Sequence, residues 1–213
     1  MRGKNETSLD SVYPVREDAC RELIQAYHDV ILALYEEGCR NLQLDDCTWG
    51  MLCDTSYWKN QSGGESDVKA LQELYLHLNN SAIAGLPEDL IINTHVCRGN
   101  YHSTWATSGG YAPVAEILFG QENVNAYYLE FDDDRSGDFA HLQYVSPHKI
   151  VVLGLITSKR PQLEKKETII KRIQEATQYI PLDRLCLSTQ CGFSSTEEGN
   201  IPVSLYTSPS PRD

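Results

Sequence analysis

Hydrophobic residues in this 213-residue chain follow two patterns. Short runs rich in Val, Ile and Leu predict β-strands, and longer stretches with apolar residues three or four positions apart predict helices. The predicted strands are Asn41–Leu44, Leu90–Asn93, Ala126–Leu129, Ile150–Leu155 and Leu185–Ser188. The last two are almost continuously apolar, which is typical of strands covered on both faces.

Helical patterns lie between these strands. The predicted helices are Glu17–Glu37, Val68–Leu78, Pro113–Phe119 and Gln162–Ala176. Because strand and helix alternate regularly, we expect βαβ units and a parallel sheet. No GxGxxG or Walker motif follows a strand, which argues against a nucleotide-binding doubly wound fold.

The fold class predicted is therefore α/β, with a (β/α)8 barrel of the TIM type as the architecture. Five units do not close an eight-stranded barrel, so we expect only the C-terminal five β/α units to be present. The predicted organisation is a polar segment over 1–15, a partial catalytic barrel over 16–200 and an irregular tail over 201–213. This tail is rich in Pro and Ser and has no helical period, so we interpret it as foreign to the domain.

The overall composition excludes several functional classes. A formal net charge of -12 is unfavourable for general binding to nucleic acid or to an anionic membrane. The sequence has no apolar run that would span a membrane and no apolar segment near its start that would act as a signal peptide. The seven cysteines are an odd number, so we expect reduced thiols and a cytoplasmic protein.

Possible metal ligands follow three of the predicted strands. His95 and Cys97 come after the second strand, Glu130 after the third and Cys191 after the fifth. In a parallel α/β barrel these strand ends meet at one rim, and residues i and i+2 point the same way. One nitrogen, one oxygen and two sulfur ligands suit tetrahedral Zn²⁺. A thiol bound to such an ion is deprotonated and nucleophilic, as alkyl transfer to sulfur requires.

The same residues also have ordinary structural interpretations. His95 could be a hydrogen-bonded structural histidine, and the two cysteines could be core residues. Glu130 could simply pair with Arg135. Spacing alone leaves these alternatives open.

Several motifs together resemble the catalytic barrel of the cobalamin-independent methionine synthase family. They are Ile91-Ile-Asn-Thr-His-Val-Cys97, Tyr128-Leu-Glu130, Thr189-Gln-Cys-Gly-Phe193 and the acidic Asn41-Leu-Gln-Leu-Asp-Asp46. They occur in the family's order between Arg16 and Asn200. The sequence looks most similar to the short, single-barrel members.

The resemblance implies a zinc ion held by His95, Cys97, Glu130 and Cys191. It implies transfer of a methyl group, from a methyltetrahydrofolate-type donor, to the zinc-bound thiol of homocysteine to give methionine. Asp45 matches the aspartate that holds the substrate amino group in this family, although a helix N-cap or a solvated loop charge is the alternative. The family's first three strands would precede this chain.

One departure from the family concerns proton delivery. The larger synthases place a histidine after the seventh strand, where this sequence reads Gly154-Leu-Ile-Thr-Ser-Lys159. His102 is a candidate proton relay, and an exposed loop histidine is the alternative. Thr157 and Ser158, at the end of the fourth strand, are predicted to contact substrate.

Two other functions stay open at this point. The departure after the fourth strand allows a related zinc-thiolate alkyl transfer with a corrinoid or coenzyme-M-type partner. A structural zinc site or an inactive barrel fragment is the non-enzymatic alternative. The sequence does not determine the oligomeric state.

Overall fold

A computed structural model describes residues 11–62, 68–194, 197 and 199–200. Five parallel strands form one sheet in which each strand pairs with the next along the chain. They are β1 (Asn41–Asp45), β2 (Ile91–Val96), β3 (Ala126–Glu130), β4 (Ile150–Ile156) and β5 (Leu185–Thr189). The predicted α/β class and the parallel order are confirmed. Of the predicted terminal segments, 201–213 and most of 1–15 lie outside the described residues.

Six α-helices accompany this sheet in the described ranges. They are α1 (Arg16–Glu36), α2 (Cys47–Cys53), α3 (Thr55–Ser62), α4 (Val68–Ala82), α5 (Ala115–Gln121) and α6 (Lys166–Ala176). Short 3₁₀ turns cover Asp134–Ser136, Ala140–Tyr144 and Leu182–Arg184. The four predicted helices are present, whereas α2 and α3 were not predicted. None of the described helices is long and apolar enough to cross a membrane.

The apolar core lies between the sheet and the helices. Phe119 from α5 packs between the rings of Tyr111 and Tyr127, at centroid distances of 5.6 and 5.1 Å. Phe131, just after β3, contacts Tyr111 at 5.2 Å and Phe139 at 4.6 Å. All these rings are buried. Alternating strand residues therefore supply one face of a dense aromatic layer, and the helices supply the other.

The opposite face of the sheet is more open. β4 is buried, as predicted, but the prediction that β5 is covered on both faces is wrong, because Cys186 is exposed and Leu187 is 48% exposed. In the described part of the chain β5 is an edge strand, so it has a neighbour on one side only. A groove of about 460 Å³ on this face includes Cys186, Tyr128 and Ile91 in its lining. A continuous apolar sequence therefore did not distinguish a central strand from an edge strand.

Candidate metal centre

The four predicted ligands converge at the C-terminal ends of the strands. His95 lies within β2, Cys97 directly follows β2, Glu130 ends β3, and Cys191 lies two residues beyond β5. One ligand atom from each lies within 4.8 Å of all the others. These four residues are therefore close enough to share one ion.

The ring of His95 is oriented by the backbone of the neighbouring strand. Its Nδ1 lies 3.2 Å from the carbonyl oxygen of Tyr128, which can only accept a hydrogen bond. Nδ1 therefore carries a proton, and Nε2 has the free lone pair whenever the ring is neutral. That Nε2 is buried without a hydrogen-bond partner and lies 4.0 Å from Glu130 Oε1. An unpartnered buried nitrogen facing a carboxylate and two sulfurs fits a metal ion such as Zn²⁺.

The two thiols lie next to each other and influence each other's ionisation. Cys97 Sγ and Cys191 Sγ are 4.0 Å apart. The Cys97 thiol donates a hydrogen bond that lowers the pKa of Cys191, and His95 lowers it further. The pKa of Cys97 is raised for the complementary reason, since it would have to ionise beside a thiolate and out of water. A cation placed between the sulfurs would remove this conflict and allow both to ionise.

Glu130 is fully buried and held from two sides. Its Oε1 accepts a hydrogen bond of 2.9 Å from the backbone N–H of Arg98, and its Oε2 lies 3.5 Å from Arg135 Nη2. Arg135 also donates to Asp132 at 2.7 Å. Burial raises the pKa of Glu130, and the Arg98 N–H and the nearby cations oppose that rise. The pairing of Glu130 with Arg135, which was the alternative to a ligand role, is present. Glu130 also lies near His95, so the pairing does not exclude a ligand role.

Two glycines permit close backbone approach around the site. A Cβ at Gly50 in α2 would lie 2.2 Å from the carbonyl oxygen of Cys97. A Cβ at Gly154 in β4 would lie 2.8 Å from Leu129 O and 2.9 Å from the Cα of Gln190. Neither glycine was identified from the sequence. Gly154 lies inside a predicted strand, where a side chain is normally favoured, so a signal existed for it. Gly50 gave no such signal, because the helix that contains it was not predicted.

Asp45 lies beside the ligand cluster. It ends β1, and its Cα pairs with that of His95 in the parallel register, which places the two side chains on the same face. Partial burial raises the pKa of Asp45, with an opposing effect of His95 and a supporting one of Cys191. The neighbouring Asp46, and not Asp45, caps a helix, since its Oδ1 accepts from Thr48 N at 3.0 Å. Asp45 is exposed, so a ligand can reach it.

The other predicted site residues have different surroundings. The hydroxyl of Thr157 donates to Asp132 at 2.6 Å, and that of Ser158 donates to Gln190 Oε1 at 2.5 Å. Both residues are buried, and their substrate contacts stay predictions. His102 is exposed on the loop after β2, where its ring meets that of Tyr101 edge-on at 4.3 Å. Its role as a proton relay also stays a prediction.

Comparison with known sequences assigns the chain to a protein family. The family described as "Cobalamin-independent synthase, Catalytic domain" matches residues 14–205. The chain belongs to this family. The match confirms the resemblance that the sequence motifs indicated.

Two curated relatives show how much of such a synthase the chain represents. YxjH of Bacillus subtilis, an uncharacterized protein, is 44% identical over 92% of this chain and 52% of its own length. A methionine synthase of Pyrococcus horikoshii is 22% identical over 88% of the chain and 47% of its own length. The chain therefore spans about half the length of these relatives.

Solved structures of two synthases show the same fold. A putative vitamin-B12-independent methionine synthase from Listeria monocytogenes is 40% identical, with a TM-score of 0.68 over 86% of this chain and 51% of its own. A B12-independent methionine synthase from Shewanella, in complex with selenomethionine, is 20% identical, with a TM-score of 0.62 over 84% of the chain and 49% of its own. The five-stranded parallel sheet is therefore part of a TIM-barrel-like fold, as the sequence predicted.

Proposed function

We propose that this domain binds Zn²⁺ through His95, Cys97, Glu130 and Cys191 and transfers a methyl group to the thiol of homocysteine, giving methionine. A methyltetrahydrofolate-type molecule is the proposed donor. The observation that carries the proposal is the cluster itself, in which four ligand atoms lie within 4.8 Å of one another. Reduced thiols are needed, and a cytoplasmic location provides them.

The protein's own groups prepare the proposed ligands. The Tyr128 carbonyl fixes the proton of His95 on Nδ1, and the Arg98 N–H holds one oxygen of Glu130. A bound zinc ion would lower the pKa of a coordinating substrate thiol, so that the thiol ionises at neutral pH. The two thiolates and the carboxylate of the protein would together exceed the charge of the ion, which would favour a site that accepts a substrate thiol in place of one protein ligand.

Asp45 is the proposed site for the substrate ammonium group. Asp45 is accessible to solvent and is the register partner of His95, so an amino acid with its thiol at the cluster could place its ammonium there. A charge-assisted hydrogen bond of this kind is short and strong. We therefore expect Asp45→Asn to weaken homocysteine binding by about tenfold, equivalent to about 1.4 kcal/mol, without altering zinc content.

Methyl transfer from a donor nitrogen to sulfur forms a C–S bond and breaks an N–C bond, and the leaving nitrogen then takes a proton. His102 is the proposed relay for that proton, since the segment 154–159 contains no histidine. The absence of a histidine from that segment also motivates the second candidate function, a zinc-thiolate alkyl transfer with a corrinoid or coenzyme-M-type partner. Because coenzyme M lacks an ammonium group, it would not need Asp45.

The test combines metal analysis with X-ray absorption at the zinc edge. We expect one zinc per chain, and an additional sulfur neighbour when homocysteine is added. Methyl-transfer assays with methyltetrahydrofolate and with a methylated corrinoid protein then separate the two donors. A chain without stoichiometric zinc, or a zinc spectrum that homocysteine does not change, would refute the proposed function. Zinc and homocysteine binding without transfer from either donor would identify an inactive domain.

A further inference from the structure

The loops that follow β2, β4 and β5 meet at one amide, the side chain of Asn100. Asn100 lies three residues after Cys97. Its Nδ2 donates a hydrogen bond of 2.6 Å to the carbonyl oxygen of Gly192, the residue after Cys191. Its Oδ1 accepts one of 2.7 Å from Lys159 Nζ. One side chain thus connects the two loops that carry the thiols and the loop between them.

The sheet alone does not bring Cys97 and Cys191 together. Their strands, β2 and β5, are separated by β3 and β4. Three steps of about 4.8 Å would place them about 14 Å apart in a flat sheet. The sulfurs are nevertheless 4.0 Å apart. Sheet curvature and the loops beyond the strand ends must supply the difference, and the loops need contacts that hold them in place.

Lys159 strengthens the connection from the β4 side. Besides Asn100 Oδ1, its Nζ donates to Gly99 O at 3.1 Å and to Thr104 O at 2.8 Å. An ammonium group has three protons, so these contacts use all its donors. Burial lowers the pKa of Lys159, while the nearby acidic groups, Glu130 first among them, oppose that change. Lys159 therefore braces the loop after β2 and has no donor left for an anionic substrate.

A second amide supports the first. Asn200 Nδ2 donates to Gly192 O at 2.9 Å and lies 2.9 Å from Asn100 Oδ1. Its own Oδ1 accepts from Ser103 N at 2.7 Å. Gly192 O is thus held by two amides, which fixes the backbone directly after Cys191.

We propose that Asn100 is a positioning residue that sets the distance between the two thiols of the metal centre. The inference rests on the proposed function, because it assumes that both thiols bind zinc. The amide donates to Gly192 O through its nitrogen and accepts from Lys159 through its oxygen, so both contacts depend on the same side chain. Changes in residues that support metal ligands typically weaken metal binding 10–100-fold. We expect a loss in that range when the donor to Gly192 is removed.

The experiment compares Asn100→Ala and Asn100→Asp with Asn80→Ala in the full chain. The aspartate keeps an acceptor for Lys159 but has no donor for Gly192 O. Asn80 is a matched control, since its amide also connects two segments, through Gln121 O at 3.0 Å and Asn123 N at 2.8 Å, and it is not among the cluster contacts. Zinc affinity is measured by competition with a chelator, and Co²⁺ substitution reports the sulfur ligands through their charge-transfer absorption.

We expect both Asn100 variants to bind zinc 10–100-fold more weakly and to show altered Co²⁺ spectra, while Asn80→Ala keeps wild-type affinity and spectrum. If Asn100→Ala does not fold, Asn100→Asp decides, because it preserves size and the contact with Lys159. Wild-type affinity in Asn100→Asp, or equal effects at Asn100 and Asn80, would overturn the inference. Absence of zinc from the wild-type chain would instead refute the proposed function, so the two failures are distinguishable.

Discussion

The helix-covered layer and the strand-end rim of this domain are built from opposite kinds of residue. In the layer, aromatic and aliphatic side chains such as Phe119 and Tyr127 are buried against one another. At the rim, Glu130, Arg135 and Asp132 are buried as charged groups in one network. Burial of apolar surface favours folding, whereas burial of charges costs free energy unless they are paired. We infer that apolar burial in the layer stabilises the domain. This stabilisation offsets the free-energy cost of holding charged groups buried at the rim.

The rim also carries more negative than positive charge among its ligands. Cys97, Cys191 and Glu130 can all be anionic, and of these four residues His95 alone can carry a positive charge. The thiolate of Cys191 and the carboxylate of Glu130 raise the pKa of His95, despite the opposing effect of its burial. A divalent ion bound at His95 Nε2 would take the place of the proton that this raised pKa favours. The difference between the two regions therefore predicts that substitutions at the rim alter metal binding, and substitutions in the layer alter stability.

The largest expected effect is loss of the metal. Cys97→Ser and Cys191→Ser should each abolish stoichiometric zinc, because an alcohol is a much poorer zinc ligand than a thiolate. The measurement is metal content after equilibration with zinc and desalting. Cys186→Ser is the control, because this exposed cysteine on β5 lies outside the cluster. Full zinc occupancy in both rim variants would show that the cluster is not the metal site.

The second-largest expected effect is a loss of stability when a buried ring of the helix-covered layer is removed. Phe119→Ala should lower the free energy of unfolding by about 3–5 kcal/mol, since it removes a buried ring and leaves a cavity between Tyr111 and Tyr127. Urea unfolding measures this change. Leu23→Ala on α1, where the side chain is 48% exposed, should change stability little. A folded Phe119→Ala protein that had lost its zinc affinity would contradict the separation of the two regions.

Much of this fold could be predicted from the sequence. The five strands were predicted within three residues at each end, because β-branched and leucine-rich runs are a strong signal. β2 was predicted too short: it continues through Val96, so His95 lies inside the strand and not after it. The helices α2 and α3 were missed because segments of seven and eight residues show little periodicity.

The four residues of the cluster could be proposed as ligands from the sequence, but the groups that hold them in place could not be predicted. His95 and Cys97 alone were a weak signal, but they gained weight from Glu130 and Cys191 at two other strand ends and from the resemblance of these motifs to the family. Arg98 supports Glu130 through its backbone N–H, which almost any residue could supply, so no sequence signal exists. The fit of Gly50 against Cys97 depends on how a helix approaches a loop, which a single sequence does not reveal.

The third prediction concerns a charge inside the layer. Glu122 is fully buried, and Asn79 Nδ2 donates to its Oε1 at 3.0 Å. Burial raises the pKa of Glu122 to about 7, against the opposing effect of that hydrogen bond. The folded state therefore binds this proton more tightly than the unfolded state, so stability falls as the pH rises from about 4.5 to about 7. Lys149 contacts the Glu122 backbone oxygen and lies near its carboxylate without cancelling this effect.

Glu122→Gln should remove this dependence. The variant should match the wild type near pH 4 and be more stable at pH 8 by up to about 3 kcal/mol, the cost of ionising the buried carboxyl group. Urea unfolding at several pH values measures the difference. Glu116→Gln, on the exposed side of α5, should produce no such difference. A parallel pH dependence in Glu122→Gln and wild type would show that another group is responsible.

The smallest effect on stability is expected where the two regions touch, at Gly50 of α2. Alanine normally stabilises a helix relative to glycine by up to about 1 kcal/mol. Here the added Cβ would meet the Cys97 carbonyl oxygen, so either α2 or the rim must move. We expect Gly50→Ala to lose about 1–3 kcal/mol of stability through overpacking and to weaken zinc binding as well.

Gly120→Ala in α5 is the matched control, because the nearest neighbour of its added Cβ would be Tyr144 O at 3.9 Å. Since Gly50 belongs to the helices but contacts a proposed ligand, its replacement should change both urea unfolding and chelator competition, whereas Gly120→Ala should leave the second unchanged. An unaltered zinc affinity in Gly50→Ala would mean that the rim holds Cys97 independently of the helices beneath it.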